Sequence, residues 1–191
     1  GRLVEIAVRT ELTNKLQTPQ QAVIMVGGLG LRLLPLTRDT PKPMLNVGDR
    51  PILERILQHL RWYGIAECFL MTYHLSDTIK EYFGDGSRLD MKLRYIQEKE
   101  QLGTAGPLRQ IQDDLLNTFV VMNGDVLTDF NLAGLMATHH GKDSDMTICV
   151  KESRISVPYG VLNVDGERVV GVEEKPVVRL LINAGIYVME P

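Results

Sequence analysis

The sequence predicts an α/β fold in which a mainly parallel sheet is covered by helices. Short apolar runs rich in β-branched residues alternate with helical segments along most of the 191 residues. Glycine and proline residues separate these segments. Because 44% of the residues are hydrophobic, the chain can bury a sizeable core. We therefore expect one main domain, with or without an appendage.

The first core strand is predicted at residues 21–26. This apolar run stops in the glycine turn at Gly27 and Gly28, as a buried strand does. A helix is predicted at residues 51–63, because its apolar residues fall on one face and Gly64 follows its last turn.

The alternation continues to the end of the chain. Apolar runs predict further strands at residues 67–72, 92–96, 118–122, 146–150 and 185–189. Helices are predicted at residues 76–83, 105–116 and 131–140, and Asp129 is interpreted as a cap of the last one. A hairpin is predicted where residues 159–164 and 168–173 flank the turn at Asp165 and Gly166.

Residues 1–20 fit this alternation poorly. A strand at residues 3–8 and a short helix at residues 10–16 would precede the strand on which the domain begins. We therefore expect residues 1–20 to be a linker or the tail of a preceding module. The main domain is expected at residues 21–191, truncated at its C terminus because the sequence stops directly after a strand.

Charge and apolar content exclude several classes of protein. The net charge is −3 and no cluster of Lys and Arg is present, so nucleic acid is not an expected partner. No run approaches the roughly 20 apolar residues of a membrane helix, and no signal peptide is recognisable, so we expect a cytoplasmic protein. Cys68 and Cys149 lie in apolar runs and are predicted to be free thiols.

A glycine-rich loop follows the first strand and predicts phosphate binding. Gly27, Gly28 and Gly30 let backbone N–H groups approach an anion closely. Arg32 adds a permanently charged guanidinium group that suits phosphate oxygens.

Lys42 adds a second positive charge ten residues after Arg32. Its neighbours Pro41 and Pro43 restrict the backbone and hold the lysine in place. The loop lacks the Gly-Lys-Ser/Thr of a P-loop and the Gly-x-Gly-x-x-Gly of a dinucleotide site.

Residues 27–37, followed by Pro41-Lys42-Pro43, resemble the signature of the sugar-1-phosphate nucleotidyltransferases. The resemblance covers roughly residues 21–190. It implies a Rossmann-like mixed, mainly parallel sheet with helices on both faces. Its further motifs are Gly103-Thr104-Ala105-Gly106-Pro107-Leu108, Asn123-Gly124-Asp125, Glu174-Lys175-Pro176 and Asn183-Ala184-Gly185-Ile186-Tyr187.

The resemblance implies transfer of a nucleoside monophosphate from a nucleoside triphosphate to a sugar-1-phosphate, with release of pyrophosphate. Such a reaction depends on positioning and charge neutralisation, which assigns catalytic roles to Arg32, Lys42 and Asp125. Asp125 follows a strand at the carboxyl edge of the sheet and is the expected Mg²⁺ ligand. Members of the family use a second aspartate, for which no position matches before Pro191.

The resemblance also implies residues for each substrate. Gly27, Gly28, Gly30, Glu98 and Gly103 would bind the nucleotide. A carboxylate at Glu98 would accept bonds from the N1–H and N2–H₂ groups of guanine, which favours GTP. The sugar phosphate would contact the backbone at Gly160 and the side chains of Glu174, Lys175 and Asn183.

Two positions depart from the family pattern, and they leave alternatives open. Val26 stands where alanine is usual and Leu31 where threonine is usual, and both would crowd the phosphate loop. A catalytically weak nucleotide-sugar sensor is one alternative, and a cytidylyltransferase for acidic sugars is another. A homo-oligomer is a further open alternative.

The start of the chain has a resemblance of its own. Gly1-Arg2-Leu3-Val4-Glu5-Ile6 is similar to the end of a paired cystathionine β-synthase (CBS) regulatory module. Such modules precede some guanylyltransferases of this type.

Overall fold

The computed structural model describes residues 19–98, residue 103 and residues 106–191. The strand expected at residues 3–8, the helix expected at residues 10–16 and the CBS hypothesis concern residues 1–18, which lie outside this range.

A six-stranded mixed sheet forms the centre of the protein, in the order β5-β4-β1-β6-β10-β7. The four strands β5, β4, β1 and β6 are parallel, whereas β10 runs antiparallel to both β6 and β7. The six strands are β1 (Gln21–Met25), β4 (Glu67–Thr72), β5 (Lys92–Gln97), β6 (Phe119–Asn123), β7 (Met146–Ser156) and β10 (Val177–Met189). The mixed, mainly parallel sheet is therefore confirmed.

Two small antiparallel pairs accompany the central sheet. One joins β2 (Asn46–Val47) to β3 (Arg50–Pro51), and the other joins β8 (Gly160–Asp165) to β9 (Arg168–Glu174). The second pair is the hairpin that the turn at Asp165 and Gly166 predicts.

Helical segments cover both faces of the sheet, and they differ in type. The α-helices α1 (Ile52–Trp62), α2 (Ser76–Phe83) and α3 (Leu132–Gly141) pack on one face, where they bury Ile24 and Leu70. The other face is covered by the 3₁₀ segment Gly106–Asp114, whose Ile111 packs on Val23 and Phe69. Alternate residues of a strand point to opposite faces, so each central strand contributes to both cores.

The segment Gly106–Asp114 corrects the helix predicted at residues 105–116. Ala105 lies outside the described residues, and the remainder forms a 3₁₀ helix in place of an α-helix. Gly106 and Pro107 have the two lowest α-helix propensities, and they open the segment. The apolar spacing of Ile111 and Leu115 predicts where the helical segment lies, but it does not distinguish a 3₁₀ helix from an α-helix.

Helix α3 is capped by Asn131, not by Asp129. The Asn131 side-chain oxygen accepts a hydrogen bond from the Gly134 N–H at 3.0 Å. A capping side chain must come directly before the first helical turn, and Asp129 comes two residues too early.

Strands β7 and β10 extend well beyond the core as a two-stranded ribbon. They pair from Asn183 opposite Val150 to Val177 opposite Ser156, whereas the sequence predicted strands only at residues 146–150 and 185–189. The ribbon carries exposed apolar side chains, with Leu181 73% exposed. Its sequence therefore lacks the burial signal that marks a core strand.

The two cysteines are free thiols, as predicted, and they differ in burial. Cys68 is completely buried in β4, and burial raises its pKa far above the ordinary range of a thiol. Cys149 in β7 is partly accessible, and burial raises its pKa as well.

We expect a thiol reagent such as iodoacetamide at pH 8 to modify Cys149 slowly and to leave Cys68 unmodified in the folded protein. A thiolate must form and be reached before it reacts, and Cys68 meets neither condition. Peptide mass spectrometry measures this, and denaturant should make both sites reactive. Modification of Cys68 at the rate of Cys149 would contradict its position in the core.

Within the described part of the chain, none of the helices is long and apolar enough to cross a membrane.

Candidate active site

A cavity of about 290 Å³ opens at the carboxyl ends of the parallel strands. It lies where β4 and β6 flank β1, so that the strand order reverses at this point of the sheet. Open α/β sheets bind their ligands at such a position. The cavity is lined by Met25, Val26, Gly27, Gly28, Lys42, Pro43, Glu98, Gly103, Asn123 and Asp125.

The glycine loop leaves β1 and forms one wall of the cavity. A side chain at Gly27 would lie 3.1 Å from the Tyr73 Cβ and 3.2 Å from a carboxylate oxygen of Glu98. Nothing lies within 4 Å of the corresponding position at Gly28, which faces open space. Gly27 is therefore required by close packing, and Gly28 leaves room for a ligand.

The loop is closed by Thr37, which is buried. Its hydroxyl donates to the Gly30 carbonyl at 2.8 Å, and Gly30 has a positive φ of 65°. This positive φ favours glycine. Gly30 shapes the loop and is not among the residues that line the cavity.

Lys42 and Asp125 meet across the cavity in a direct ion pair between Nζ and Oδ2. Lys42 lies in the 3₁₀ turn Lys42–Met44, which begins after Pro41, and Asp125 comes two residues after the end of β6. Their side chains are 31% and 33% exposed, so both charges stay accessible to a ligand. The structure therefore joins two of the three predicted catalytic residues, although they are 83 residues apart.

Glu98 brings a second carboxylate to the cavity. Its backbone N–H donates to the Thr72 carbonyl at 2.8 Å, which holds it at the end of β5. The residue is only 8% exposed, and its carboxylate lies beside Gly27. Gly103 lines the same cavity.

Arg32 lies outside the cavity. It belongs to the exposed 3₁₀ turn Leu31–Leu33, which follows the part of the glycine loop that lines the cavity. The sequence placed Arg32 with Lys42 and Asp125, but the structure brings only the latter two together.

The four predicted sugar-phosphate residues also lie outside the cavity lining, in two groups. Gly160 pairs with Glu174, whose carboxylate lies 2.9 Å from where a Gly160 side chain would begin. The Lys175 N–H donates to the Tyr159 carbonyl at 3.2 Å, which places Lys175 beside that pair. Asn183 lies on β10 at the other end of the ribbon.

Asn123 is a cavity residue to which the sequence analysis assigned no role. It ends β6, directly before Gly124 and Asp125, and its side chain also reaches Gly185 of β10. A polar residue at the carboxyl end of a buried strand is the signal that could have identified it.

Val26 explains why glycine is needed at position 124. Val26 is buried, and a side chain at Gly124 would begin 2.5 Å from its Cγ1 atom. The bulk of Val26 is therefore directed partly against Gly124, the residue that follows β6. Leu31, the other departure from the family pattern, is 64% exposed.

We expect Gly124→Ala to lower the free energy of unfolding by about 1–3 kcal/mol, the usual cost of overpacking a core. In a Val26→Ala background the same change should cost less, because the nearest clashing methyl group is gone and only the Met25 carbonyl at 3.1 Å and an Ile24 methyl group at 3.2 Å remain close. Denaturant unfolding of the four proteins measures both values. An equal cost in both backgrounds would show that Val26 is not the obstacle.

The described residues contain no group of three or more His, Cys, Asp and Glu side chains that could hold a metal ion by themselves. The cavity nevertheless offers the accessible carboxylate of Asp125. Magnesium is commonly held by one or two carboxylates together with substrate phosphates, so the donor set suits a metal that arrives with a nucleotide.

Known proteins resemble this chain along most of its length. The family model for nucleotidyl transferases matches residues 21–191. The D-glycero-alpha-D-manno-heptose 1-phosphate guanylyltransferase of Campylobacter jejuni is 38% identical over 171 residues, which is 88% of this chain and 75% of that protein. The mannose-1-phosphate guanylyltransferase of Mycobacterium tuberculosis is 38% identical over 175 residues, which is 88% of this chain and 48% of that protein. The chain thus spans about half the length of several of its curated relatives.

A solved structure supports the same relationship. HddC from Yersinia pseudotuberculosis superposes with a TM-score of 0.69 at 29% identity, covering 90% of this chain and 76% of that one. It has also been solved in complex with GMP-PN, with a TM-score of 0.68 and 28% identity. Sequence and fold agree, and the chain belongs to the nucleotidyl transferase family.

Proposed function

We propose that the protein transfers GMP from GTP to a sugar-1-phosphate and releases pyrophosphate. The single observation that carries this proposal is the cavity at the carboxyl edge of the sheet, where a glycine loop, Lys42 and Asp125 converge. The combination supplies backbone donors for phosphate, a positive charge and a metal-binding carboxylate.

The triphosphate would lie against the glycine loop. Gly28 faces open space, so its backbone can approach phosphate oxygens closely. Lys42 would neutralise charge on the phosphates as its ion pair with Asp125 opens, and Arg32 would contact them from the exposed turn that follows the loop. Asp125 would hold Mg²⁺, which supplies charge neutralisation at the phosphate oxygens when it is bound.

Glu98 would select guanine. Its carboxylate can only accept hydrogen bonds, and guanine presents two adjacent donors, N1–H and N2–H₂. Glu98 lines the cavity beside Gly27, which supports contact with the base of a nucleotide bound there. Both relatives described above are named guanylyltransferases, and HddC was solved with a guanine nucleotide analogue.

The acceptor would be held by residues of the hairpin and the ribbon. Lys175 would bind the phosphate of the sugar-1-phosphate, and Glu174 would accept hydrogen bonds from sugar hydroxyls. The backbone at Gly160 and the side chain of Asn183 would also contact the sugar phosphate. The names of the relatives favour a mannose-type hexose or heptose 1-phosphate as the acceptor.

The reaction would be an in-line displacement at the α-phosphorus of GTP. An oxygen of the sugar phosphate forms a new bond to this phosphorus, and the bond between the α-phosphorus and the bridging oxygen of the β-phosphate breaks. Pyrophosphate leaves with the electron pair, and no oxidant or reductant is needed. The residues therefore act by position and charge, as is usual in such displacements.

A nucleotide screen with the natural full-length protein tests this function. The protein is incubated with Mg²⁺ and with GTP, UTP, dTTP, ATP or CTP, each combined with mannose 1-phosphate or D-glycero-alpha-D-manno-heptose 1-phosphate. We expect pyrophosphate release to be fastest with GTP, and mass spectrometry should identify a GDP-sugar. Tight GTP binding without any release would favour a nucleotide-sugar sensor, and a preference for CTP would favour a cytidylyltransferase.

A further inference from the structure

A β-bulge in β10 lies where the ribbon meets the cavity. The pairing of β10 with β7 shifts between Asn183 and Tyr187, which marks a bulge in the strand. Gly185 lies inside this bulge with a φ of 71°, a conformation that favours glycine. Bulges redirect side chains and often lie beside functional sites.

Two hydrogen bonds hold the bulge together, and both involve the Asn183 amide. The Gly185 N–H donates to the Asn183 side-chain oxygen at 2.8 Å. The Asn183 side-chain NH₂ donates to the Tyr187 hydroxyl at 2.8 Å. Because a backbone N–H can only donate, the orientation of the amide is determined, and one N–H and one oxygen lone pair are left for a ligand.

Tyr187, which accepts one of these two hydrogen bonds, is held in place by the core. Its ring packs against the core cluster that contains Val23, Phe69 and Val121. Asn183 is exposed, so without the tyrosine hydroxyl the Gly185 N–H would hold its side chain by one hydrogen bond in place of two. The packed ring of Tyr187 thus holds its hydroxyl oxygen beside the exposed amide of Asn183.

The same bulge touches the nucleotide side. Gly185 lies opposite Asn123, and a side chain at Gly185 would begin 2.6 Å from the Asn123 side-chain nitrogen. Asn123 lines the cavity next to Asp125. Asn183 comes three residues before Ile186 in the sequence and lies beyond the carboxyl ends of the parallel strands. A fully extended strand would place it about 10 Å from Ile186.

We propose that Tyr187 is a positioning residue for the acceptor, which fixes the Asn183 amide through the Gly185 bulge so that this amide can bind the sugar-1-phosphate. This inference rests on the proposed function, which assigns Asn183 to the acceptor. Tyr187 itself does not touch the substrate. Its hydroxyl sets the direction of the amide and keeps the bulge beside Asn123.

A double-mutant cycle in the natural full-length protein tests the proposal. Tyr187→Phe, Asn183→Ala and the combined variant are compared with wild type, using GTP and whichever of the two acceptors reacts faster. We expect Tyr187→Phe to raise the KM for the sugar-1-phosphate about fivefold, the size of one neutral hydrogen bond. Asn183→Ala should raise it by about tenfold, and the combined variant should be no worse than Asn183→Ala. The kcat and the KM for GTP should stay within a factor of two of wild type.

Tyr95→Phe is the matched control. It also removes one tyrosine hydroxyl from the sheet, because Tyr95 donates to the Gly84 carbonyl at 2.7 Å, but it lies on the edge strand β5. Its KM for the acceptor should equal that of wild type.

Each other outcome contradicts a definite part of the proposal. If Asn183→Ala raises the acceptor KM and Tyr187→Phe does not, or if their effects multiply, Tyr187 does not act through Asn183 and only this inference fails. If Asn183→Ala leaves the acceptor KM unchanged, the assignment of Asn183 in the proposed function fails, and the inference fails with it. Absence of turnover with every acceptor would overturn both.

Discussion

Asp125→Asn is expected to lower kcat/KM for GDP-sugar formation by about a thousandfold, at the upper end of what removal of one charge-stabilising group costs an enzyme. The substitution keeps the size and shape of the side chain and removes its negative charge. A neutral amide binds Mg²⁺ poorly, so the phosphates lose the charge neutralisation that the metal would supply.

The fold should tolerate this change. The ion pair between Lys42 and Asp125 is about one third exposed on both sides, so its loss should cost less than about 1 kcal/mol of unfolding free energy. Asp129→Asn is the matched control, because Asp129 is exposed and lies only four residues further along. Steady-state pyrophosphate release with the natural full-length protein, together with thermal unfolding, measures both properties. Activity of Asp125→Asn within tenfold of wild type would remove Asp125 from the catalytic residues.

Lys42→Met is expected to lower kcat/KM by about a hundredfold, because the side chain keeps its length and loses its charge. Pro41 and Pro43 hold the backbone at this position, so the loss concerns the charge and not the shape of the turn. Lys42→Arg should recover little of the activity, since the planar guanidinium group has a different reach and geometry from an ammonium group.

The exposed Lys142, directly after α3, provides the control for Lys42. Lys142→Met removes one positive charge outside the cavity lining and should leave kcat/KM unchanged. Measurement of kcat/KM with GTP as the varied substrate compares the three variants. Equal effects of Lys42→Met and Lys142→Met would mean that only overall charge matters, which contradicts a specific role for Lys42.

The sheet and the centre of the site could be predicted because both depend on local patterns. Buried parallel strands appear as continuous apolar runs, and their carboxyl ends meet at one edge of the sheet. Asp125 follows such a run, and Lys42 lies in a proline-restricted turn after the glycine loop. These local patterns are why two residues far apart in the sequence could be expected at one edge of the sheet, where both line the cavity.

The ribbon could not be predicted in the same way. Its side chains are exposed, so neither periodicity nor burial distinguishes residues 151–156 and 177–183 from a loop. The extension of β7 and β10 carries the predicted acceptor residues away from the lining of the cavity. Their position depends on how far two strands stay paired, which no single segment encodes.

Arg32 and Tyr187 show two further limits of local sequence patterns. Arg32 is close to the glycine loop in sequence, but its turn faces solvent outside the cavity lining. Tyr187 fits an ordinary core strand, and only the bulge at Gly185 gives its hydroxyl a partner in Asn183. Contacts made within an irregular strand have no recognisable spacing in the sequence.

The most direct test of this account is a crystal structure of the natural full-length protein with Mg²⁺ and a non-hydrolysable GTP analogue. We predict that the triphosphate lies against Gly27 and Gly28, with Lys42 turned from Asp125 toward a phosphate and the metal bound to Asp125. A triphosphate bound elsewhere, with the ion pair between Lys42 and Asp125 intact, would contradict the central claim that this cavity is the nucleotide site.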